Sequence, residues 1–542
     1  MSPEEFLREF GYLAETEGGV SSLRGLVRDF AVLGRFSTDP TSDDRPPEAG
    51  SGGGATTSSL PPESMDIGFH KIRTPYLPQG WRWTTLGEVT AKITDGVHKT
   101  PTYLPSGIPF LSVKDISAGK LSFADTRFIS EKEHLRINER CNPERGDVLL
   151  CRIGTLGKPV VVDTDQPFSL FVSVGLLKIR TDIVDSKYAC TALSTGHMLQ
   201  QFNLVKAGGS HTNKLNLGSL PGLLLPLPPF PEQKRIVEKV EQLMALCDEL
   251  ETKQKQKREK AVSFNKAALN AVVHASDKSK LKSSWSRVQE HFEVLYEVPE
   301  NVKELRQTIL QLAVMGKLVK HANAQPLDEV LGLAPHRNSR DLPFLPERWR
   351  WMKLADLAEY VVDCLHSTPL YSDSGFPAIR TADVVPGRLL LGQARTVPRE
   401  VYEERTRRLV PQPGDILYSR EGERFGLAAA VPKGVNLCLA QRMMHIRLKA
   451  DAGDPQFFVW AMNSPHVYMQ AVLEVGGSTS PHVNMKAIRS FSVPCPPVGE
   501  QTMIASKIEA LMVLCDELEA KLARHNEHGQ RLMQAVVENL MA

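Results

Sequence analysis

The twenty-seven residues from Leu225 to Glu251, LPLPPFPEQKRIVEKVEQLMALCDELE, recur 268 positions later, from Val493 to Glu519, as VPCPPVGEQTMIASKIEALMVLCDELE, and sixteen of the twenty-seven columns are identical. A chain that repeats such a segment is constrained to fold as two related units. Each copy opens on prolines, which fix φ and remove a backbone donor, and then runs into an apolar pattern of helical period. A domain therefore ends at the prolines and a long helix begins. In the first helix Ile236, Val240, Leu243, Cys247 and Leu250 alternate by four and three, and Ala261, Phe264, Ala268 and Ala271 rejoin the frame. In the second, Ile504, Ile508, Leu511, Cys515, Leu518, Leu522, Leu532 and Val536 hold the equivalent frame. A spacing of 3.5 implies a supercoiled partner, and the expected partner is the other copy. The alternative is that each helix packs on its own domain.

The 268-residue offset holds over two large segments. Leu77-Pro78 and Trp81-Arg82-Trp83 match Leu345-Pro346 and Trp349-Arg350-Trp351, and Asp95, His98, Thr100, Pro101 and Tyr103 match Asp363, His366, Thr368, Pro369 and Tyr371. Gly146-Asp147, Arg152 and Gly154 match Gly414-Asp415, Arg420 and Gly422, and Gly208-Gly209-Ser210 with Asn216 match Gly476-Gly477-Ser478 with Asn484. A shorter likeness at offset 282 relates residues 10–37 to 292–319, with Leu23, Arg24 and Gly34 against Leu305, Arg306 and Gly316. The repeating unit is thus short helix, domain, long helix. The boundaries read as an N-terminal helical segment at 1–36, a flexible linker at 37–75, a first domain at 76–231, a long helix at 232–275, a connection with a central short helix at 276–343, a second domain at 344–499 and a second long helix at 500–542. Glycine, serine, proline and acids dominate residues 37–64 and cannot bury a core, so disorder is expected there. Inside each domain, short apolar runs such as Phe110–Val113, Asp147–Cys151, Val160–Val162 and Leu176–Ile179 read as strands, and Lys187–Leu204 and Pro455–Leu473 as helical, giving an α+β fold with a twisted or partly closed sheet.

Apolar content of 42% and charged content of 24% are ordinary for a soluble globular protein, and no apolar run approaches the ~20 residues of a membrane span. The N-terminus has no signal-peptide pattern, so a cytoplasmic location is expected. Eight cysteines occur without CxxC pairs, which favours buried, reduced thiols over metal ligands or disulfides. A net charge of +2 says little about partners: a nucleic-acid binder of this composition must concentrate its basic residues locally.

Three motifs could carry chemistry. The turns from Asp95 to Pro101 and from Asp363 to Pro369 hold an acid and a histidine, but no serine or cysteine nucleophile accompanies them in both copies, so a hydrogen-bonded turn is favoured over catalysis. Lys99, Thr100 and Ser367 beside them are within reach of a phosphate. The segments Gly146–Gly154 and Gly414–Gly422 put Arg152 and Arg420 after an apolar strand. A guanidinium fork there suits a phosphate or guanine edge, or equally a structural carboxylate. The residues that follow differ, with Thr155 and Lys158 in one copy and Arg424 in the other. The glycine-led loops, with Ser210, His211, Thr212, Asn213 and Lys214 in one copy and Ser478, Thr479, Ser480, His482 and Asn484 in the other, are rich in donors for phosphates and base edges. Lys114 and Arg380 complete the candidate contacts. Pro228-Pro229-Phe230 lacks the preceding Asn or Asp that grips a flipped adenine in amino-methyltransferases, and no GxGxxG or GxxxxGK[S/T] loop is present, so no cofactor site of the chain's own is expected.

In their order and their repetition these motifs resemble the specificity subunits of type I restriction-modification systems. The resemblance implies two similar target-recognition domains held apart by two long antiparallel coiled-coil helices, with an internal pseudo-twofold repeat, reading an asymmetric bipartite site on double-stranded DNA. It implies two modification (methyltransferase) subunits that bind S-adenosylmethionine and methylate adenine, and restriction (translocase/endonuclease) subunits that use ATP and Mg. The chain itself would then be non-catalytic and hold no cofactor. The glycine- and serine-rich linker and Cys364, where the first copy has Gly96, depart from the pattern.

Overall fold

The computed structural model describes residues 14, 18–36, 64–67, 70–206, 213–320, 324–335, 342–422, 424–475 and 481–541. The chain divides into two compact units, one made of residues up to Gln256 together with those from Arg524 onward, the other of Lys257–Ala523. In chain order the first contains α1 (Gly19–Val32), β1 (Ser64–Ile67), β2 (His70–Arg73), β3 (Arg82–Thr85), β4 (Thr90–Asp95), β5 (Ile108–Leu111), β6 (Arg127–Ile129), α2 (Glu131–Asn138), β7 (Val148–Cys151), β8 (Gly157–Val161), β9 (Ser169–Leu170), β10 (Val174–Ile179), α3 (Ser186–Leu193), α4 (Gly196–Val205) and β11 (Leu224–Leu227). Then follow α5 (Phe230–Val273), α6 (Lys278–Glu290), α7 (Pro299–Val314), β12 (Arg350–Lys353), β13 (Ala358–Asp363), β14 (Phe376–Ile379), β15 (Val384–Val385), β16 (Arg388–Leu389), β17 (Arg395–Val397) and α8 (Arg399–Thr406). The remainder are β18 (Ile416–Ser419), β19 (Ala428–Ala430), β20 (Cys438–Leu439), β21 (Met443–Leu448), α9 (Pro455–Met462), α10 (Pro465–Val475), α11 (Met485–Ser490), β22 (Ser492–Cys495) and α12 (Val498–Met541).

The two domains share one topology. In the first, an antiparallel sheet runs β4-β10-β7-β8, a second sheet runs β6-β5-β9 with β5 and β9 parallel, and β3 pairs with β11. In the second the orders are β13-β21-β18-β19, β17-β14-β20 and β12-β22. The middle strands are buried on both faces, which is why their sequences read as continuous apolar runs. Val148 and Leu150 of β7 join the core shared with α3 and α5, whereas Leu149 and Cys151 face a second core with Val160, Phe168 and Leu176. The second unit adds a hairpin, β15 with β16, whose Gly387 lies at φ +86° against the Trp460 ring; a Cβ there would come within 2.2 Å of it.

The repeated proline segment closes each domain. After β11, Gln233 is fully buried: its Oε1 accepts from Asp185 N at 2.7 Å and its Nε2 donates to Ile183 O and Pro228 O. Gln501 makes the same three bonds to Asp454 N, Ala452 O and Pro496 O. The two tryptophan pairs also repeat, with Trp83 Nε1 donating to Pro75 O and Trp351 Nε1 to Pro343 O.

Three sequence expectations need correction. The first is that each seam has a short-helix partner that the spacing did not announce, beginning with Ile236, Val240, Leu243 and Cys247. They share a core with Val20, Leu23, Val27 and Phe30 of α1 and with their own domain. Likewise Ile504, Ile508 and Cys515 pack with Val302, Leu305 and Ile309 of α7, together with Ala261, Ala268, Leu269 and Val272 from the second part of α5. Arg24 repeats this logic electrostatically, donating to Asp248 and Glu251, as Arg306 does to Asp516 and Glu519. Phe264 and Ala271 lie outside the seam, exposed, while Asn265 is buried in it. Secondly, Ser64–Ile67 and His70–Arg73, inside the expected linker, pair antiparallel as β1 and β2; the expectation of disorder at 37–63 falls outside the described residues. Thirdly, Lys187–Leu204 and Pro455–Leu473 are each two helices, broken at Ser194-Thr195 and at Asn463-Ser464, where Thr195 caps α4 through Met198 N. The connection also holds α6, which the sequence reading did not separate.

Candidate nucleic-acid interface

At the end of β4 the chain enters Asp95-Gly96-Val97-His98. Asp95 is 0% exposed, and an ionised carboxylate there needs several partners. Arg152 Nη1 donates to its Oδ2 at 2.6 Å, His98 Nε2 lies 3.1 Å from the same oxygen, and Arg140 from the end of α2 donates to Oδ1. Arg152, 3% exposed, also donates to Val172 O and, through Nε, to Leu215 O. Burial pulls its guanidinium below the ordinary arginine value, with Asp95 opposing. Gly154, at φ +82°, then turns the chain outward, its amide donating to Asn213 O while Leu215 N returns to Arg152 O. In the other unit Arg420 Nη2 is 3.5 Å from Asp363 Oδ2, His366 Nε2 is 3.1 Å from it, and Arg408 donates to Asp363 O. Gly422 N bonds to Pro481 O and Val483 N to Arg420 O. Three motifs spread over more than a hundred residues thus meet around Asp95 in one unit and around Asp363 in the other.

A sequence profile described as the type I restriction modification DNA specificity domain matches residues 78–260 and again 346–525. The chain belongs to this family. It is similar to the type I restriction enzyme EcoAI specificity subunit of Escherichia coli, 22% identical over 546 residues, covering 92% of this chain and 90% of the relative. The EcoEI specificity subunit of Escherichia coli is 21% identical over 589 residues, covering 96% and 93%. The fold is shared with a solved chain from work on complex assembly and conformational transition of the type I R-M system, at 18% identity and a TM-score of 0.51, covering 86% of this chain and 99% of that one.

Within this pair of specificity domains the candidate residues divide by what already holds them. Arg152 and Arg420 are buried on Asp95 and Asp363 and present no fork to a base; the structural alternative is the one the geometry supports. Arg380 is spent on Asp383, with Nε and Nη2 at 2.9 and 2.7 Å. Arg424 donates to Ala382 O and Val384 O across the β15 turn, and Lys114 pairs with Asp125 at 2.9 Å. Asn484 caps α11 by accepting from Ala487 N. Ser367 accepts from Arg405 through both its carbonyl and its hydroxyl oxygen. His482 is exposed and 3.5 Å from Glu421. Lys99, Thr100, Thr155, Lys158 and Asn213 are exposed, and Lys214 is half-buried on an isolated bridge to Ile153. Ser210, His211, Thr212, Ser478, Thr479 and Ser480 lie outside the described residues. Cys364 is buried, and Met443 N donates to its sulfur, so its departure from Gly96 is absorbed internally.

Sequence reading missed Arg140 and Arg408. They stand at the same 268-residue offset as the other matches and donate to the same carbonyl in each unit, so the repeat itself carried the signal. It also missed Arg136 on α2, which has Glu404 as its counterpart and therefore left no repeated mark. Among the described residues no group of histidine, cysteine, aspartate or glutamate has the geometry to hold a metal ion, and no helix is long and apolar enough to cross a membrane.

Proposed function

We propose that this chain is the sequence-reading, non-catalytic subunit of a type I restriction-modification complex. Each domain reads one half of an asymmetric bipartite DNA site, and partner modification and restriction subunits methylate adenine or cleave DNA there. The observation that supports this most strongly is the pairing of a constant frame with divergent tips. The same Asp, His and two Arg meet in both units, around Asp95 in one and Asp363 in the other, while the residues beside them, such as Lys99 and Arg136 against Ser367 and Glu404, differ. Two readers of different half-sites require this combination, and two modest readers on one chain gain effective concentration for each other. S-adenosylmethionine, ATP and Mg would be held by the partners, within the cytoplasm.

The test is to express the chain with modification subunits and map methylated adenines genome-wide. One bipartite motif with a fixed gap, appearing only when this chain is present, is the expected result. Methylation or cleavage of DNA by the purified chain alone would overturn the non-catalytic part, and a motif unchanged on deletion of the chain would overturn the whole.

A further inference from the structure

Beside the buried Asp95 lies an open cleft of about 370 Å³, lined by Gly96, Val97, His98, Lys99, Arg136 and Arg140 among others. Its one lining carboxylate, Asp95, is 0% exposed and already met by Arg152, Arg140 and His98, so it offers no charge to the opening. The rim, in contrast, is cationic and accessible. Lys99 is exposed and has no hydrogen-bond or ion-pair partner among the described residues. Arg136 is 64% exposed and, among the described residues, tied only at 3.5 Å to Glu133 on its own helix. Arg140 is 55% exposed; its Nε and Nη2 are used on Thr94 and Asp95, and its Nη1 is unspent. A rigidly anchored guanidinium, a mobile ammonium and a second arginine around one concavity match the tetrahedral oxygens of a phosphate, which accept both forked and point-charge donors.

We propose that this cleft seats one phosphate of the DNA backbone, with Lys99 and Arg136 as its ligands and Arg140 as the fixed wall. The proposal rests on the DNA-reading function above and adds a contact that positions the first domain without choosing bases. The Lys99 and Arg136 pair belongs to the first unit alone. The second has Ser367 and Glu404 there, and its Arg405 is turned inward on to Leu439 O and Ser367.

The experiment measures binding of the full chain to duplexes of random sequence, by anisotropy, across a range of salt concentrations. The double variant Lys99→Gln, Arg136→Gln should weaken every duplex alike, by about tenfold, and reduce the slope of log K against log salt by about 0.9, the value for one phosphate. Arg136→Lys, which keeps the charge, should retain the slope. Both side chains are exposed, so the variants should melt as wild type does. If the double variant binds with wild-type affinity and slope while wild type shows salt-dependent binding, the cleft is overturned and the DNA-reading function stands. Wild-type protein that binds no duplex at all overturns both. A double variant that changes which half-site is methylated, at unchanged slope, also overturns the seat, because it makes these residues base readers.

Discussion

Arg152 shows what a motif can and cannot say about a residue. Its position after an apolar strand and before a glycine was legible, but a guanidinium fork fits a carboxylate as well as a base, and only the fold brings Asp95 to it from fifty-seven positions away. Removing it leaves a buried carboxylate short of a partner. We expect Arg152→Ala to cost on the order of 3–5 kcal/mol in stability, read by denaturant unfolding. Unaltered unfolding together with a changed methylation motif would restore the base-reading role. Asp415 illustrates a second residue-level effect. Burial opposes its ionisation, but Arg447, His445 and the Gln412 amide outweigh that and hold its carboxyl down at about 2. A carboxyl depressed in the folded state contributes stability above its unfolded value near 4 and loses it as the pH falls toward 2. Asp415→Asn should therefore be less stable than wild type by about 2 kcal/mol at neutral pH, with the gap closing between pH 4 and 2 in thermal melts. A gap that persists at pH 2 would mean that packing, not charge, sets the difference. The equivalent Asp147 keeps the matching amide, from Glu144, but has Lys178 in place of the Arg447 and His445 pair; burial prevails, and its carboxyl shifts upward instead.

For the elements, periodicity revealed a face but not its partner. The 4-3 spacing of α5 and α12 correctly marked Ile236 to Cys247 and Ile504 to Cys515 as buried, but it did not announce that α1 covers the first set or that α7 joins the second part of α5 over the other. These short helices are too brief to announce themselves as heptads, and their role emerges from the paired clamps of Arg24 and Arg306. Asp29 joins α1 to its domain by accepting from Gly196 N at the start of α4, 2.7 Å away. Burial, partly offset by that amide and by Arg28, pushes its carboxyl up to about 6. The sign is the reverse of Asp415: the folded state loses stability as the pH rises from about 4 to 6. Asp29→Asn keeps the acceptor oxygen and removes the charge, and the other repeat already has the neutral Gln311 at this place. The variant should be more stable than wild type by about 3 kcal/mol above pH 6 and indistinguishable below pH 4. A variant that melts lower than wild type at pH 8 would show the charge to be useful.

On the scale of the whole chain, the duplication and the order of parts were legible because an offset in sequence survives any change of surface residues. Which part of each long helix belongs to which unit was not legible, since that depends on packing between segments hundreds of positions apart. The outcome is that the unit containing α1 and the first domain also takes in residues from Arg524 onward, with Lys257–Ala523 lying between. Deleting residues 524–542 should accordingly loosen the first unit more than the second. Limited proteolysis would show faster cleavage within residues 76–231 than within 344–499, and equal protection of both would rule this out. The same composition has a consequence for biosynthesis. A ribosome that has finished the first domain still has the entire second unit to translate before the segment that completes the first emerges. The N-terminal half therefore cannot reach its full set of contacts during elongation, and a premature stop codon far downstream would injure the half of the protein that was made first.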